Sequence, residues 1–351
     1  MSRRDYLDWL RGVAVLIMIE AHVLDAWTRT DARDSTYGWF IVIGGFGAPI
    51  FLFLAGMALA LAAGSRQRKG KTDVEAAALA RRRGWQVFGL AFLFRLQSWI
   101  ISGGTWDRTL LKVDILNIMG LSMLAAAVLW GAGRDRWSRA AWLTAATIAA
   151  AMLTPLIRAT PLLDVLPDPV EWYLRPVPGR TTFTLFPWGG FLLAGAAVGV
   201  WLDASRTERE ERRTIVALAV VGAILGVGGY AAAFLPPIYE QTSFWTSSPT
   251  FFFLRLGILI VAVPAAYVIN RWVPWQSWLR EFGIASLFVY WIHVEMAYGV
   301  VSSPLHRRLS FPQAMLAFVL FSLFLFGLVR LKERLTHGRA VTQRAQLHRS
   351  T

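Results

Sequence analysis

Seven ionisable side chains stand in stretches that are otherwise apolar: Arg11, Glu20, His22, Arg95, Arg255, His293 and Glu295. Insertion scales put a charged side chain near the centre of a membrane helix at about 2.5–3.5 kcal/mol, so Glu20, Arg95, Arg255 and Glu295 together would cost on the order of 10 kcal/mol if they faced lipid. They are expected to face inward and to find partners. One arrangement needs no chemistry, with Arg95 and Arg255 neutralising Glu20 and Glu295 as ties between helices. Arg11 and His22 suggest more. Their eleven-residue separation is only about 20° from three full helical turns, so they share one face, roughly 16 Å apart along the axis. Arginine offers phosphate a permanent charge and a forked donor, and histidine gives and takes a proton near neutral pH. One stripe would therefore carry an anion-binding group at its start and a proton-transfer group at depth. Asp8 and Asp25 lie one turn from each. Glu20 points about 200° away from His22, which leaves Asp25 as the candidate orienter. His293, with Tyr290 one turn before it and Glu295 two residues after, is expected to serve core hydrogen bonding and orientation rather than the transfer itself. His306, His337 and His348 are expected to be solvated.

The elements that must position these groups follow from composition. Of 351 residues, 56% are apolar and only 17% charged, against roughly 25% charged in an average soluble domain. The 22 Phe, 17 Trp and mean hydropathy of +0.47 exclude disorder and a nucleic-acid-binding domain built on an exposed basic face. Absence of cysteine excludes disulfides, thiolate nucleophiles and Cys-ligated metals. Five scattered histidines without a His-Glu-x-x-His spacing predict no metal site.

Spans of about 20 apolar residues centre near residues 18, 50, 93, 123, 148, 193, 224, 260, 291 and 321. The expectation is an all-α polytopic membrane protein with about ten transmembrane helices in a domain over residues 1–335, followed by a basic, disordered cytoplasmic tail over 336–351. The first apolar stretch runs past signal-peptide length without an Ala-x-Ala-like site and reads as retained. On alternate sides of the spans, Lys and Arg divide 23 against nine, which by the positive-inside rule puts both termini in the cytoplasm. The net charge of +14 is therefore mostly topological, with some available to anionic lipid or an anionic ligand. Trp27, Trp39, Trp106, Trp137, Trp142, Trp201, Trp245, Trp272, Trp275 and Trp278 fall near span ends, as headgroup anchors do. The Gly44, Gly45, Gly47 cluster reads as close helix packing. The outside segments 158–182 and 235–249 are long enough to line a site.

Five motifs carry a resemblance. RRDYLDWLRGVAVLIMIEAH at the N-terminus, GAPIFLFLAGMALAL at 47–61, VDILNIMGLSML at 113–124, FPWGGFLLAGAAVG at 186–199 and FGIASLFVYWIHVEMAYG at 282–299 resemble, in order, signatures of the heparan-alpha-glucosaminide N-acetyltransferase catalytic-domain family and its bacterial relatives. The Arg11–His22 spacing is also similar to that of membrane O-acyltransferases acting on bacterial surface polysaccharides.

The resemblance implies transfer of an acetyl or other acyl group from a cytoplasmic acyl-CoA, acetyl-CoA being the co-substrate, to an amine or hydroxyl of a glycan or amino sugar at the other face of a bacterial inner membrane. It implies CoA phosphates near Arg11 and the basic 64–84 segment with Arg81, Arg82 and Arg83, and His22 as general base or acyl carrier. Asp25 and Asp114 join His22 as catalytic candidates, and Arg95, Gln97, Asn117 and His293 are orienters. The heparan enzymes carry a histidine in the loop leading into the second helix. Residues 28–40 contain none, and the chain has no histidine between 22 and 293, so that role moves to His22. The alternative function, a proton-coupled secondary transporter, would use the same buried charges as a relay. It lacks the internal repeat such transporters show, since FLFRL at 92–96 against FFLRL at 252–256 is the only echo.

Overall fold

The computed structural model of the protein describes residues 4–101, 108–272 and 277–347, with the side chains of 108, 109, 277 and 337–347 left aside. Arg3, Trp106, Trp275, His348 and the side chain of His337, all used above, lie outside the described residues. Those residues are helical, without β-strands. The main-chain N–H and C=O groups are thereby satisfied within each segment, as a hydrocarbon environment demands. The helices are α1 (Asp5–Trp27), α2 (Ser35–Gly44), α3 (Gly47–Arg68), α4 (Asp73–Ile101), α5 (Ile115–Ala132), α6 (Arg136–Met152), α7 (Thr154–Ala159), α8 (Asp168–Glu171), α9 (Leu185–Ala204), α10 (Glu208–Ala232), α11 (Pro249–Trp272), α12 (Ser277–Ile284), α13 (Ser286–Tyr298) and α14 (Phe311–Leu347).

Each expected span centre falls inside one of these helices. Among the described residues, six segments are long and apolar enough to cross a membrane: 35–68, formed by α2 and α3 together, then α5, α9, α10, α11 and residues 311–336 of α14. The protein is an integral, multi-pass membrane protein. The other four expected spans fall on α1 and α4, which mix charged and amide side chains into their apolar faces, and on α6 and α13, which have 17 and 13 residues.

The chain forms two compact units. The first comprises residues 1–7 and 48–272. Within it α4 packs on α5, α6 on α9, and α10 on α11. α3 crosses α9 at van der Waals limit: a Cβ on Gly56 would strike the Leu192 carbonyl and Ala196 nitrogen, and one on Gly195 the Phe53 carbonyl. Small residues at such crossings let backbones approach, which is how helices associate without a hydrophobic drive between them. Val216, Val220, Ile224 and Val227 on α10 remain exposed, an apolar face for lipid. The helix starts are fixed by side chains. Asp114 and Asn117 form a capping box on α5, Asp135 and Ser138 on α6, and Thr207 and Glu210 on α10, each satisfying two orphan N–H groups. At Asp135 the backbone N–H of Ser138 holds the carboxyl below the usual carboxylate range. Segment 158–182 folds onto the start of α5, burying Trp172 against Val113 and Ile118.

The second unit comprises residues 8–47 and 273–351. In it α13 and α12 pack on α14, and α1 crosses α12 closely, since a Cβ on Gly12 would meet the Leu279 carbonyl and one on Gly283 the Asp8 carbonyl. Gly44 sits against Ala21 of α1, where a Cβ would come within 2.7 Å of the alanine methyl. Trp39, Trp137, Trp142, Trp245 and Trp272 are more than half exposed, as anchors are. Trp27 corrects that expectation: it is buried, and its indole N–H donates to the Ala297 carbonyl at 2.9 Å. A buried indole needs an acceptor, and the end of α13 supplies one.

Candidate active site

In the second unit α1 and α13 bring His22 and His293 into direct contact. His22 Nδ1 lies 2.8 Å from His293 Nε2. The ring planes differ by 4° with centroids 5.0 Å apart, the separation of two imidazole radii plus one hydrogen bond, so the N–H···N contact lies in the shared ring plane. His293 is fully buried, and its Nδ1 lies 2.9 Å from the Val289 carbonyl. A carbonyl only accepts, so that nitrogen carries the hydrogen. With the pair neutral, His293 Nε2 is then the acceptor, His22 Nδ1–H the donor, and the lone pair of His22 resides on Nε2. One main-chain carbonyl thus sets the tautomers of both rings.

Around this pair, Tyr290 contacts His293 and Tyr298 contacts His22, both edge-on. Asp25, the candidate orienter, is exposed, and its Oδ2 accepts from the Tyr298 hydroxyl at 2.9 Å. The Nδ1 of His22 is turned to His293 instead. Asp25 is thereby joined to the Tyr298 ring that flanks the imidazole. Glu20, on the far side of α1, is buried, with neither carboxylate oxygen hydrogen-bonded among the described residues.

Arg11 stands near the start of α1 with Nη1 2.9 Å from Asp8 Oδ1. Its side chain keeps 22% exposure against 7% for Asp8, so the guanidinium is the more accessible member of the pair. In the first unit Arg81 is half-buried on α4, and Arg82 and Arg83 are exposed, the last donating to Gln86 Oε1 at 3.4 Å.

The remaining candidates gather at the start of α5. Arg95 Nη2 meets Asp114 Oδ2 at 2.5 Å, so the tie expected between Arg95 and a membrane glutamate is replaced by one to the capping carboxylate nineteen residues on. Asp114 is well placed for this because the cap, with its Oδ1 accepting from the Ile115 N–H at 2.7 Å, already fixes it. Asn117 is 2% exposed and donates to the Tyr173 hydroxyl at 3.1 Å. Gln97 is half-buried two residues beyond Arg95. Beside them burial, reinforced by the Arg95 charge, pushes the Lys112 ammonium below its usual range. Burial likewise pushes the Tyr173 phenol up. Arg255, six residues into α11, stacks over Phe251 and Trp188 at 4.6 and 5.6 Å.

Tyr298 and the Val289 carbonyl escape a reading of the sequence. Tyr298 is five residues from His293, off its helical face, and a carbonyl has no side-chain signature. His306, expected to be solvated, is half-buried instead, with Nε2 3.0 Å from Ser302 Oγ and 3.2 Å from the Ala297 carbonyl. The described residues contain no group of His, Asp and Glu able to hold a metal ion.

No curated protein matches the chain significantly. The family model described as heparan-alpha-glucosaminide N-acetyltransferase, catalytic, matches residues 3–234, which takes in α1 to α10 with Arg11, His22, Arg81–Arg83, Arg95 and Asp114, and leaves α13 outside. That match spans well over half of the 351 residues, and with the apolar helices it establishes that this chain belongs to the heparan-alpha-glucosaminide N-acetyltransferase catalytic family, a membrane acetyltransferase family.

Proposed function

We propose that the protein moves an acetyl or other acyl group from cytoplasmic acetyl-CoA or acyl-CoA to an amine or hydroxyl of a glycan or amino sugar at the opposite face of a bacterial inner membrane. The observation that carries this reading is the His22–His293 contact with its tautomers set by Val289, because it leaves a basic lone pair on His22 Nε2 at membrane depth. The accompanying topology has ten spans with both termini cytoplasmic, supported by the charge division and by the helix at every expected centre.

In this reading Arg11 binds donor phosphate through its guanidinium, and Arg81, Arg82 and Arg83 are, as the resemblance implies, further candidates for phosphate contact. Arg11 suits phosphate by its permanent charge, and its side chain keeps 22% exposure. His22 Nε2 takes the proton from the acceptor N–H or O–H as its nitrogen or oxygen bonds to the thioester carbonyl carbon. The carbon–sulfur bond then breaks, and the proton passes from His22 to the departing thiolate. His293 holds the imidazole in plane and shares the charge that develops on it, because its Nε2 faces the Nδ1–H of His22. The same Nε2 lone pair serves equally if His22 carries the acyl group between donor and acceptor. Asp114, Arg95, Asn117 and Gln97 frame the start of α5, positioning rather than reacting.

The test is CoA release from acetyl-CoA by purified protein in detergent, with and without amino-sugar acceptors, for parent and His22→Ala. Loss of release with retained acetyl-CoA binding supports the reading, and parental release by His22→Ala refutes it. Intact-mass measurement after mixing with acetyl-CoA separates the two routes, since only an acyl carrier gains an acetyl group.

A further inference from the structure

His22 has a second neighbour that the reaction above does not use. The ring of Tyr298 lies edge-on to the imidazole, centroids 5.4 Å apart at 66°, and its hydroxyl donates to Asp25 Oδ2 at 2.9 Å. Asp25 follows His22 by one turn of α1, and Tyr298 follows His293 on α13. The four side chains therefore alternate between the helices in the order Asp25, Tyr298, His22, His293.

Just beyond this set the end of α1 is tied to the end of α13 and to the connection leading into α14. Trp27 donates to the Ala297 carbonyl, the N–H groups of Arg307 and Leu309 donate to the carbonyls of Ala26 and Trp27 at 3.0 and 2.9 Å, and Arg29 N–H donates to Leu309 at 2.9 Å. Tyr298 follows Ala297 directly, so its Cα is fixed. Its side chain is not held by burial, for it is 44% exposed. A hydrogen bond between two exposed side chains adds little to stability. Its effect falls on orientation. An imidazole held by one in-plane hydrogen bond can still tip, since such bonds weaken only gradually with angle. An aromatic ring against it removes that freedom, provided the ring is itself restrained.

We infer that Tyr298, tethered by Asp25, is a positioning residue that keeps the His22 imidazole coplanar with His293 for transfer, an inference that rests on His22 being the reactive group. The test uses full-length protein in detergent and two readouts: kcat and acetyl-CoA KM for CoA release by water, and the rate at which diethyl pyrocarbonate modifies His22, read on its peptide by mass spectrometry. Tyr298→Phe and Asp25→Ala are each expected to lower kcat about fivefold at unchanged KM, the worth of one hydrogen bond. The double variant should fall no further, because both changes remove the same bond. Asp25→Asn keeps an accepting oxygen and should fall less than about twofold. Tyr298→Ala should lose on the order of 10²-fold, as a displaced catalytic group does, and its His22 should be modified faster than the parent's. Multiplying losses in the double variant, an Asp25→Asn as slow as Asp25→Ala, or a Tyr298→Ala with parental kcat and parental modification would overturn the inference. A His22→Ala control that releases CoA at the parental rate would instead overturn the functional reading, while His22 modification in the Tyr298 variants still tests the positioning.

Discussion

His22 and His293 stand 271 residues apart in sequence and 2.8 Å apart at their facing nitrogens, coplanar and joined edge to edge. Neither imidazole can be changed without altering the other's hydrogen bonding. Truncating His22 removes the proposed base or carrier and should lower CoA release by about 10²- to 10⁴-fold with acetyl-CoA binding intact. Truncating His293 leaves the Nδ1–H of His22 without its acceptor, so His293→Ala should retain measurable activity at a rate between the two. Release rates of the two variants side by side check the order, and a dead His293→Ala beside an active His22→Ala would reverse the assignment.

Arg11 pairs with Asp8 through Nη1 at 2.9 Å and, in the proposed reading, binds donor phosphate through its fork. Arg11→Lys keeps the charge and loses the fork, and should weaken CoA binding in calorimetry, with Arg11→Ala weaker still. Unchanged affinity in Arg11→Ala would remove Arg11 from the donor site.

Topology is directly testable because the chain has no cysteine. A single cysteine in place of Lys69 should react with an impermeant thiol reagent only in inverted vesicles. Labelling from outside intact cells would invert the orientation.

Asp114 both caps α5 and pairs with Arg95. Asn is as good a cap as Asp but cannot form the ion pair, and Ala does neither, the cap alone being worth about 1 kcal/mol. Unfolding temperature in detergent should therefore fall in the order parent, Asp114→Asn, Asp114→Ala. An alanine variant as stable as the parent would show the cap to be idle.

At the α3–α9 crossing a methyl on Gly195 would run into the Phe53 carbonyl, which is backbone and has little room to move. Gly195→Ala should destabilise by about 1–3 kcal/mol, the usual range for overpacking. Gly327, with nothing within 4 Å of an added Cβ, is the control, and Gly327→Ala should melt within a degree or two of the parent.

That the chain is helical and membrane-embedded, and the ten stretches on which helices centre, were legible in the sequence, because apolar run length and backbone self-satisfaction are local properties that each segment carries alone. The sequence also singled out Arg11, His22 and His293 through the cost of placing them among apolar residues. Partners were a different matter. Between Glu20 and Asp25 as orienter of His22, helical spacing favoured Asp25, one turn away. The tertiary structure turned Nδ1 to His293 instead, because α13 comes alongside α1 with the main-chain carbonyl of Val289 fixing the proton. Arg95 could have paired with a glutamate on any helix, and it pairs with Asp114 because a cap already holds that carboxylate at the start of α5. Trp27 read as a lipid anchor from its place near a span end, yet the close of α13 offers its N–H a carbonyl and buries it. Each of these choices depends on which backbone groups two distant helices bring within 3 Å of a side chain, and no local pattern encodes that distance.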